Sequence, residues 1–222
     1  MTAPKIVSEY EFSSPRRATK RPDRAVLLAH GAGADMHAAA LVVAAAAFAD
    51  AGIATLRWNY PYMTAGKKAP DRAPVLLAAT REAAIELVRR TKLPVERIVL
   101  GGRSMGGRYC SLLAGDTIEP WPALGLVLQG YPLHAPGRPD KIRDEHFPRL
   151  TMPVLFVSGT NDQFGTPDEL RRSAKRVGGR VAWHWIPTAD HGFKPKKRES
   201  GLSVDDALAS MAEAMVAFVA GL

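Results

Sequence analysis

The run Gly101-Gly102-Arg103-Ser104-Met105-Gly106-Gly107 follows a fully apolar stretch, Ile98-Val99-Leu100, and leads straight into the helix-like Arg108-Tyr109-Cys110-Ser111-Leu112-Leu113-Ala114. A strand that turns into a helix at one serine must bend so sharply that the serine takes strained backbone angles. Gly102 and Gly106, two residues to either side, leave room for that bend. The product is a hydroxyl held clear of the chain at the C-terminal edge of a sheet, with the Met105 amide at a helix N-terminus facing any oxyanion formed nearby. A glycine-rich turn with an incidental serine uses the same residues, so the reading depends on whether a base, an acid and a second oxyanion donor lie in suitable places.

The rest of the chain alternates short apolar runs with helical patterns, which implies a mainly parallel sheet covered by helices on both faces. Residues Lys5 to Phe12 predict an edge strand with Ile6, Tyr10 and Phe12 on one face. Ala25 to Ala29 is an unbroken small-apolar run, as a central strand buried on both faces requires. Further strands are expected at Ile53–Trp58, Arg97–Leu100, Ala123–Leu128, Pro153–Ser158 and Val181–Ile186. Helices are expected at about His37–Asp50, stopping at Gly52, at Val75–Arg90 and Pro167–Val177, and at Val204–Leu222 with Leu208, Met211, Met215 and Phe218 on its apolar stripe. The proline-bearing stretch Leu133 to Met152 is too short for a substantial cap, so an open site is expected.

At 222 residues and 46% hydrophobic, the chain suits one α/β domain over residues 1–222. The first residues lack a secretory pattern, and the most apolar segment, Ala38 to Ala51, is shorter than the roughly 20 residues of a membrane helix. The lone cysteine, Cys110, rules out an internal disulfide framework and suits the reducing cytoplasm; a small core residue is its expected role. The histidines outside the late loop show no metal-ligand spacing, and neither a metal nor a cofactor is expected. The net charge of +8 comes without a nucleic-acid motif. Its densest cluster, Lys194, Lys196, Lys197 and Arg198, reads as a solvated loop, with attraction of an anionic substrate as the alternative. Nothing in the sequence indicates an oligomeric state.

Three loops after strands carry the residue types that acyl transfer needs, on the edge where open α/β sheets build sites. A serine hydroxyl needs a neutral imidazole to take its proton, and His191 follows the last strand. That imidazole needs an ionised carboxylate to orient it, and Asp162 sits after Pro153–Ser158 in Gly159-Thr160-Asn161-Asp162. Asp162 as a plain turn residue is the bland alternative, and Asp190 is the rival acid, although adjacency makes it hard for Asp190 to face the ring. The order Ser104, Asp162, His191 is that of α/β-hydrolases. In His30-Gly31-Ala32-Gly33-Ala34-Asp35, the Ala32 amide, with Gly33 beside it, is the second oxyanion candidate; His30 is expected to brace the loop and Asp35 to cap the next helix. Gly33, Tyr60, Tyr62 and Tyr131 are candidates to line a pocket, with packing beneath the loops as the alternative for the aromatics.

Taken together, HGAGADMH, RWNYPY, GGRSMGG, SGTNDQFG and ADHGFK make the chain resemble the α/β-hydrolase superfamily from Ala25 to Leu222. Within it, the motifs resemble the compact, capless family related to dienelactone hydrolases, which also includes the hydrolase-like domain of a nonspecific-lethal chromatin-complex subunit and its testis-expressed relative. The resemblance implies a serine hydrolase scaffold and no particular substrate; the order of Ser104, Asp162 and His191 and the short insertion after Pro132 point to hydrolysis of a small-molecule ester or thioester of a modest-sized acyl group. A binding module that keeps the fold without much turnover is the alternative, and a hydrolase of small peptides or activated amides stands third. Dienelactone hydrolases proper use a cysteine nucleophile where this chain has Ser104, so their substrate does not carry over.

Overall fold

The computed structural model describes residues 8–15 and 22–222. Along the chain lie β1 (Tyr10–Ser13), β2 (Ala25–Ala29), α1 (Ala39–Asp50), β3 (Ala54–Trp58), α2 (Pro61–Thr64), α3 (Ala73–Thr91), β4 (Ile98–Arg103) and α4 (Met105–Ala114). They are followed by β5 (Gly125–Gln129), β6 (Val154–Gly159), α5 (Pro167–Ala174), β7 (Val181–Ile186), α6 (Lys197–Ser200) and α7 (Val204–Ala220).

The seven strands form one sheet in the order β1-β3-β2-β4-β5-β6-β7. All neighbours run parallel except β1, which lies antiparallel on the β3 edge with Tyr10 opposite Trp58 and Phe12 opposite Leu56. Tyr10 and Phe12 do share a face and pack on the core; Ile6, expected beside them, falls outside the described residues.

Side-chain alternation divides the core in two. Ala25, Leu27, Ala29, Ile98, Leu100, Leu126 and Leu128 point to the face covered by α3, α4 and α5. Val26, Leu28, Val99 and Val127 point to the face covered by α1 and α7. Burial on both faces explains why the strands read as unbroken apolar runs.

Several boundaries differ from the sequence reading for local reasons. Helix α1 begins after Ala38, and Asp35 does not cap it: its Oδ1 accepts from the His37 amide at 2.9 Å, closing a turn one step earlier. At the other end Gly52, at φ +79°, lets the amides of Gly52 and Ile53 return to the carbonyls of Ala49 and Phe48, a glycine-terminated stop. Helix α3 starts two residues earlier than expected because Pro74 fits the first turn, where a missing N–H costs nothing. Helix α5 ends at Ala174, its last turn tightening into bonds from Arg176 and Val177 to Ser173 and Ala174 before Gly178. The short α2 was not anticipated. Capping boxes at Thr166/Glu169 and Ser203/Asp206 fix the starts of α5 and α7.

Residues 133–152 form no cap. They are stapled to the body by Tyr131 Oη donating to Arg143 O at 2.6 Å, Arg149 Nε to Gly115 O at 2.6 Å and Arg176 Nη1 to Asp144 Oδ1 at 2.7 Å. After β3 the chain crosses back over β2 to start β4, so the order of strands reverses between β2 and β4. A crevice opens at their C-terminal ends, the place where open α/β sheets take ligands.

Candidate active site

Ser104 stands at that reversal. It links β4 to α4 at φ +49°, ψ −115°, a conformation that L-residues adopt at a cost of about 1–3 kcal/mol. The flanking glycines are required by the back of β2. A Cβ on Gly102 would lie 2.9 Å from the Ala29 amide nitrogen, and one on Gly106 would lie 2.6 Å from the His30 carbonyl oxygen. Any side chain at either position drives β4 or α4 off β2, and the serine moves with them.

The three loops converge. His191 Nε2 lies 2.9 Å from Ser104 Oγ, and His191 Nδ1 lies 2.8 Å from Asp162 Oδ2 and 3.0 Å from Oδ1. The carboxylate is an acceptor, so Nδ1 carries the ring proton and Nε2 is free to accept from the serine hydroxyl. Asp162 is 1% exposed in its side chain and is oriented by the Phe164 amide, which donates to Oδ1 at 2.8 Å. The Phe164 ring stacks on the imidazole with centroids 4.0 Å apart. Asp190 is occupied elsewhere: its Oδ1 accepts from the amides of Gly192 at 2.7 Å and Lys194 at 3.0 Å.

Ala32, Ser104 and Met105 border one cavity of about 330 Å³. Among the described residues neither the Ala32 nor the Met105 amide donates to a protein acceptor, so both N–H groups are available beside the hydroxyl. His30 braces this loop as expected. Its Nδ1 donates to Gly31 O at 2.8 Å and its Nε2 accepts from the Tyr60 amide at 3.1 Å, which fixes a neutral tautomer. Burial also pushes its pKa down, in keeping with that form.

The aromatics expected to line the pocket lie beneath it instead. Tyr60, Tyr62 and Tyr131 are fully or almost fully buried, and none borders the Ser104 cavity. The Tyr60 hydroxyl pairs with Thr80 Oγ1 at 3.1 Å, and burial raises the Tyr60 and Tyr131 pKa values, so both stay neutral. Gly33 turns the loop at φ +72°, with open space where a Cβ would stand, and does not border the cavity either. The walls are Leu76, Tyr109 and Phe164 on the apolar side and Asp71, Arg108 and Arg143 on the polar side. Arg108, one helical turn after Ser104, was readable from its i+4 spacing. Arg143 gave no such signal, since it comes from the irregular segment after β5.

The basic cluster at Lys194, Lys196, Lys197 and Arg198 is exposed and outside the cavity, with Lys196 Nζ 3.2 Å from Glu199. Cys110 is buried, its thiol pushed up to about 12 by burial and directed at Gly101 O, as a core residue would be. Among the described residues no cluster of three or more His, Cys, Asp or Glu side chains gathers as metal ligands would, and no helix is long and apolar enough to cross a membrane.

A family model described as an alpha/beta hydrolase domain matches residues 22–220. The chain belongs to this family. Solved structures of hydrolases are similar over nearly the whole length. An alpha-beta serine hydrolase homologue from Coxiella burnetii superposes with a TM-score of 0.72 at 16% identity, covering 98% of this chain and 94% of its own. Est1E from Butyrivibrio proteoclasticus gives 0.73 at 15% identity, with coverages of 99% and 97%. Dienelactone hydrolase from Anabaena variabilis gives 0.72 at 17% identity, with coverages of 99% and 94%. At these identities the likeness speaks for the α/β-hydrolase fold, and the chemistry has to be argued from the side chains.

Proposed function

We propose that this alpha/beta hydrolase cleaves esters or thioesters of a modest-sized acyl group through a covalent serine intermediate, acting on a small-molecule substrate in the cytoplasm. The observation that carries the reading is the hydrogen-bonded line from Ser104 Oγ through His191 to a buried Asp162, begun at a serine in strained backbone geometry.

In the first half-reaction Ser104 Oγ attacks the carbonyl carbon while its proton passes to His191 Nε2. The carbonyl oxygen becomes an oxyanion between the Ala32 and Met105 amides, where preorganised donors stabilise the charge without rearranging. His191 then gives its proton to the departing alkoxide or thiolate as the bond to the acyl carbon breaks. In the second half His191 takes a proton from water, the hydroxide adds to the acyl carbon, and Ser104 leaves with that proton. Asp162 stays ionised throughout and keeps the imidazole in its Nδ1–H tautomer. A cavity of about 330 Å³ without a cap favours short acyl groups.

The test is labelling with a fluorophosphonate probe together with hydrolysis of p-nitrophenyl esters of increasing chain length. The wild type should label and turn over the shorter esters, and Ser104→Ala should do neither. Unchanged labelling in Ser104→Ala would move the nucleophile elsewhere. A wild type that does not label would favour the binding-module reading, to which the resemblance to the chromatin-complex subunit belongs.

A further inference from the structure

His191 is not held by a helix or a strand. It lies five positions past the end of β7, in a loop where Thr188 and Phe193 both take φ +59°. Asp190 organises the turn around it through the Gly192 and Lys194 amides, but those bonds are internal to the loop. Thr160 and Asn161 tie Thr188 and Ala189 to the end of β6, and Asp162 holds the ring, but all three come from the β6 end and not from the strand that carries the nucleophile.

Arg103, the last residue of β4 and the covalent neighbour of Ser104, supplies a link to that strand. One guanidinium nitrogen, Nη2, donates to the backbone carbonyl oxygen of His191. The guanidinium carbon lies 4.6 Å above the centroid of the Phe193 ring, which is itself fully buried. The left-handed backbone at Phe193 turns that ring inward beneath the cation. On the other side Gly130, at φ +54°, gives the clearance: a Cβ there would collide with Nη1 and stand 3.5 Å from the His191 ring. Burial pulls the Arg103 pKa below its ordinary value, and the charges of Asp162 and Asp190 offset that cost only in part.

We propose that Arg103 is a positioning residue for the general base: seated between Phe193 and Gly130, it ties the His191 backbone to the strand end that carries Ser104. The proposal rests on the hydrolase reading above. Because nucleophile and anchor are consecutive residues, any shift of the β4 end carries both together, and the Oγ to Nε2 distance is preserved. A lysine cannot replace it, since the planar fork both stacks and donates, whereas an ammonium is a compact, strongly hydrated charge. Arg103 does not border the cavity, so its effect belongs to the chemical step and not to substrate binding.

The experiment uses Arg103→Met, Arg103→Lys and Phe193→Leu in the full chain, with p-nitrophenyl acetate kinetics and the downfield proton resonance of the His191 Nδ1–H. In Arg103→Met, kcat should fall about 100-fold with KM within about twofold of wild type, the scale expected for a small misplacement of a reacting group. The resonance should shift or broaden while the near-ultraviolet circular dichroism stays that of the wild type. Phe193→Leu, which keeps the charge and removes the stack, should lose about 10-fold in kcat and decides the matter if Arg103→Met does not fold. Arg103→Lys should stay close to Arg103→Met. A kcat within about threefold of wild type in folded Arg103→Met, a loss carried by KM, full recovery by lysine, or an unmoved resonance would each overturn the proposal. If the wild type shows no turnover the hydrolase reading fails, and the resonance still tells whether Arg103 positions the ring.

Discussion

Acidification should cost this protein stability through one buried imidazole that lies outside the Ser104 site. His146 is fully buried, and its Nε2 lies 2.8 Å from Ser111 Oγ. Ser111 Oγ spends its own proton on the Arg108 carbonyl at 2.8 Å, so Nε2 is the donor and Nδ1 is the bare nitrogen. Nδ1 is buried with no partner among the described residues, and a proton added there would sit in the core unpaired. Burial first, then the positive charges of Arg108 and Arg149, hold the His146 pKa down at about 4 against 6.5 for a free imidazole. The unfolded chain therefore binds the proton more readily. Stability is complete above about pH 6.5, falls as the pH drops, and levels off below about 4. At 1.36 kcal/mol per pKa unit the whole loss is about 3 kcal/mol, of which about 2 kcal/mol is gone by pH 5. Urea unfolding of the wild type and His146→Gln at pH 7 and pH 5 measures it. Contributions from His30 and His184, which burial shifts the same way, cancel in the difference. The stability gap between wild type and variant should change by about 2 kcal/mol between the two pH values. A gap that is the same at both would refute the reasoning.

The site supports three further predictions. Gly106→Ala should lower the unfolding free energy by about 3 kcal/mol or prevent folding, because the new methyl meets the backbone of Ala29 and His30, which cannot rotate away; thermal unfolding reads this. Ser104→Gly should be more stable than Ser104→Ala by about 1 kcal/mol, since both lack the hydroxyl and only alanine keeps the strain at φ +49°; equal denaturant midpoints would show that the elbow stores none. Asp162→Asn should reduce kcat for p-nitrophenyl acetate by about 10³- to 10⁴-fold while Asp190→Asn, whose amide oxygen can accept the same two loop bonds, retains turnover.

The parts of this molecule that were legible in advance are those where one residue type answers one physical demand. Only small side chains tolerate the approach of β4 and α4 to β2, so the glycines around Ser104 located the bend. The order of Ser104, Asp162 and His191 followed from strand ends that were themselves readable as apolar runs. The aromatics were read less well. Tyr60, Tyr62 and Tyr131 follow strand ends just as a pocket wall would, but each strand end also has a core beneath it, and sequence position does not say which side a ring takes. Asp35 failed similarly: an aspartate before a helix can close a turn as readily as cap the helix, and the two differ by one residue's backbone angle. Arg143 and Phe164 reach the cavity from irregular chain, where no period marks a face.

Two of the three serine–histidine pairs among the described residues show why residue type alone does not make a site. Ser111 and His146 stand 2.8 Å apart, closer than the 2.9 Å of Ser104 and His191. They differ in the direction of the proton. In the buried pair the serine has given its hydrogen to a helix carbonyl and receives one from the ring, so it has no proton to pass to that ring and its oxygen faces no cavity. At Ser104 a buried carboxylate accepts a hydrogen bond from the ring N–H at Nδ1, which leaves Nε2 as the acceptor and the hydroxyl as the donor, beside open space and two available amides. In the proposed mechanism Asp162 is thus what separates the reactive pair from the structural one, since with the ring proton on Nε2 the imidazole at His191 would be no better a base than the one at His146.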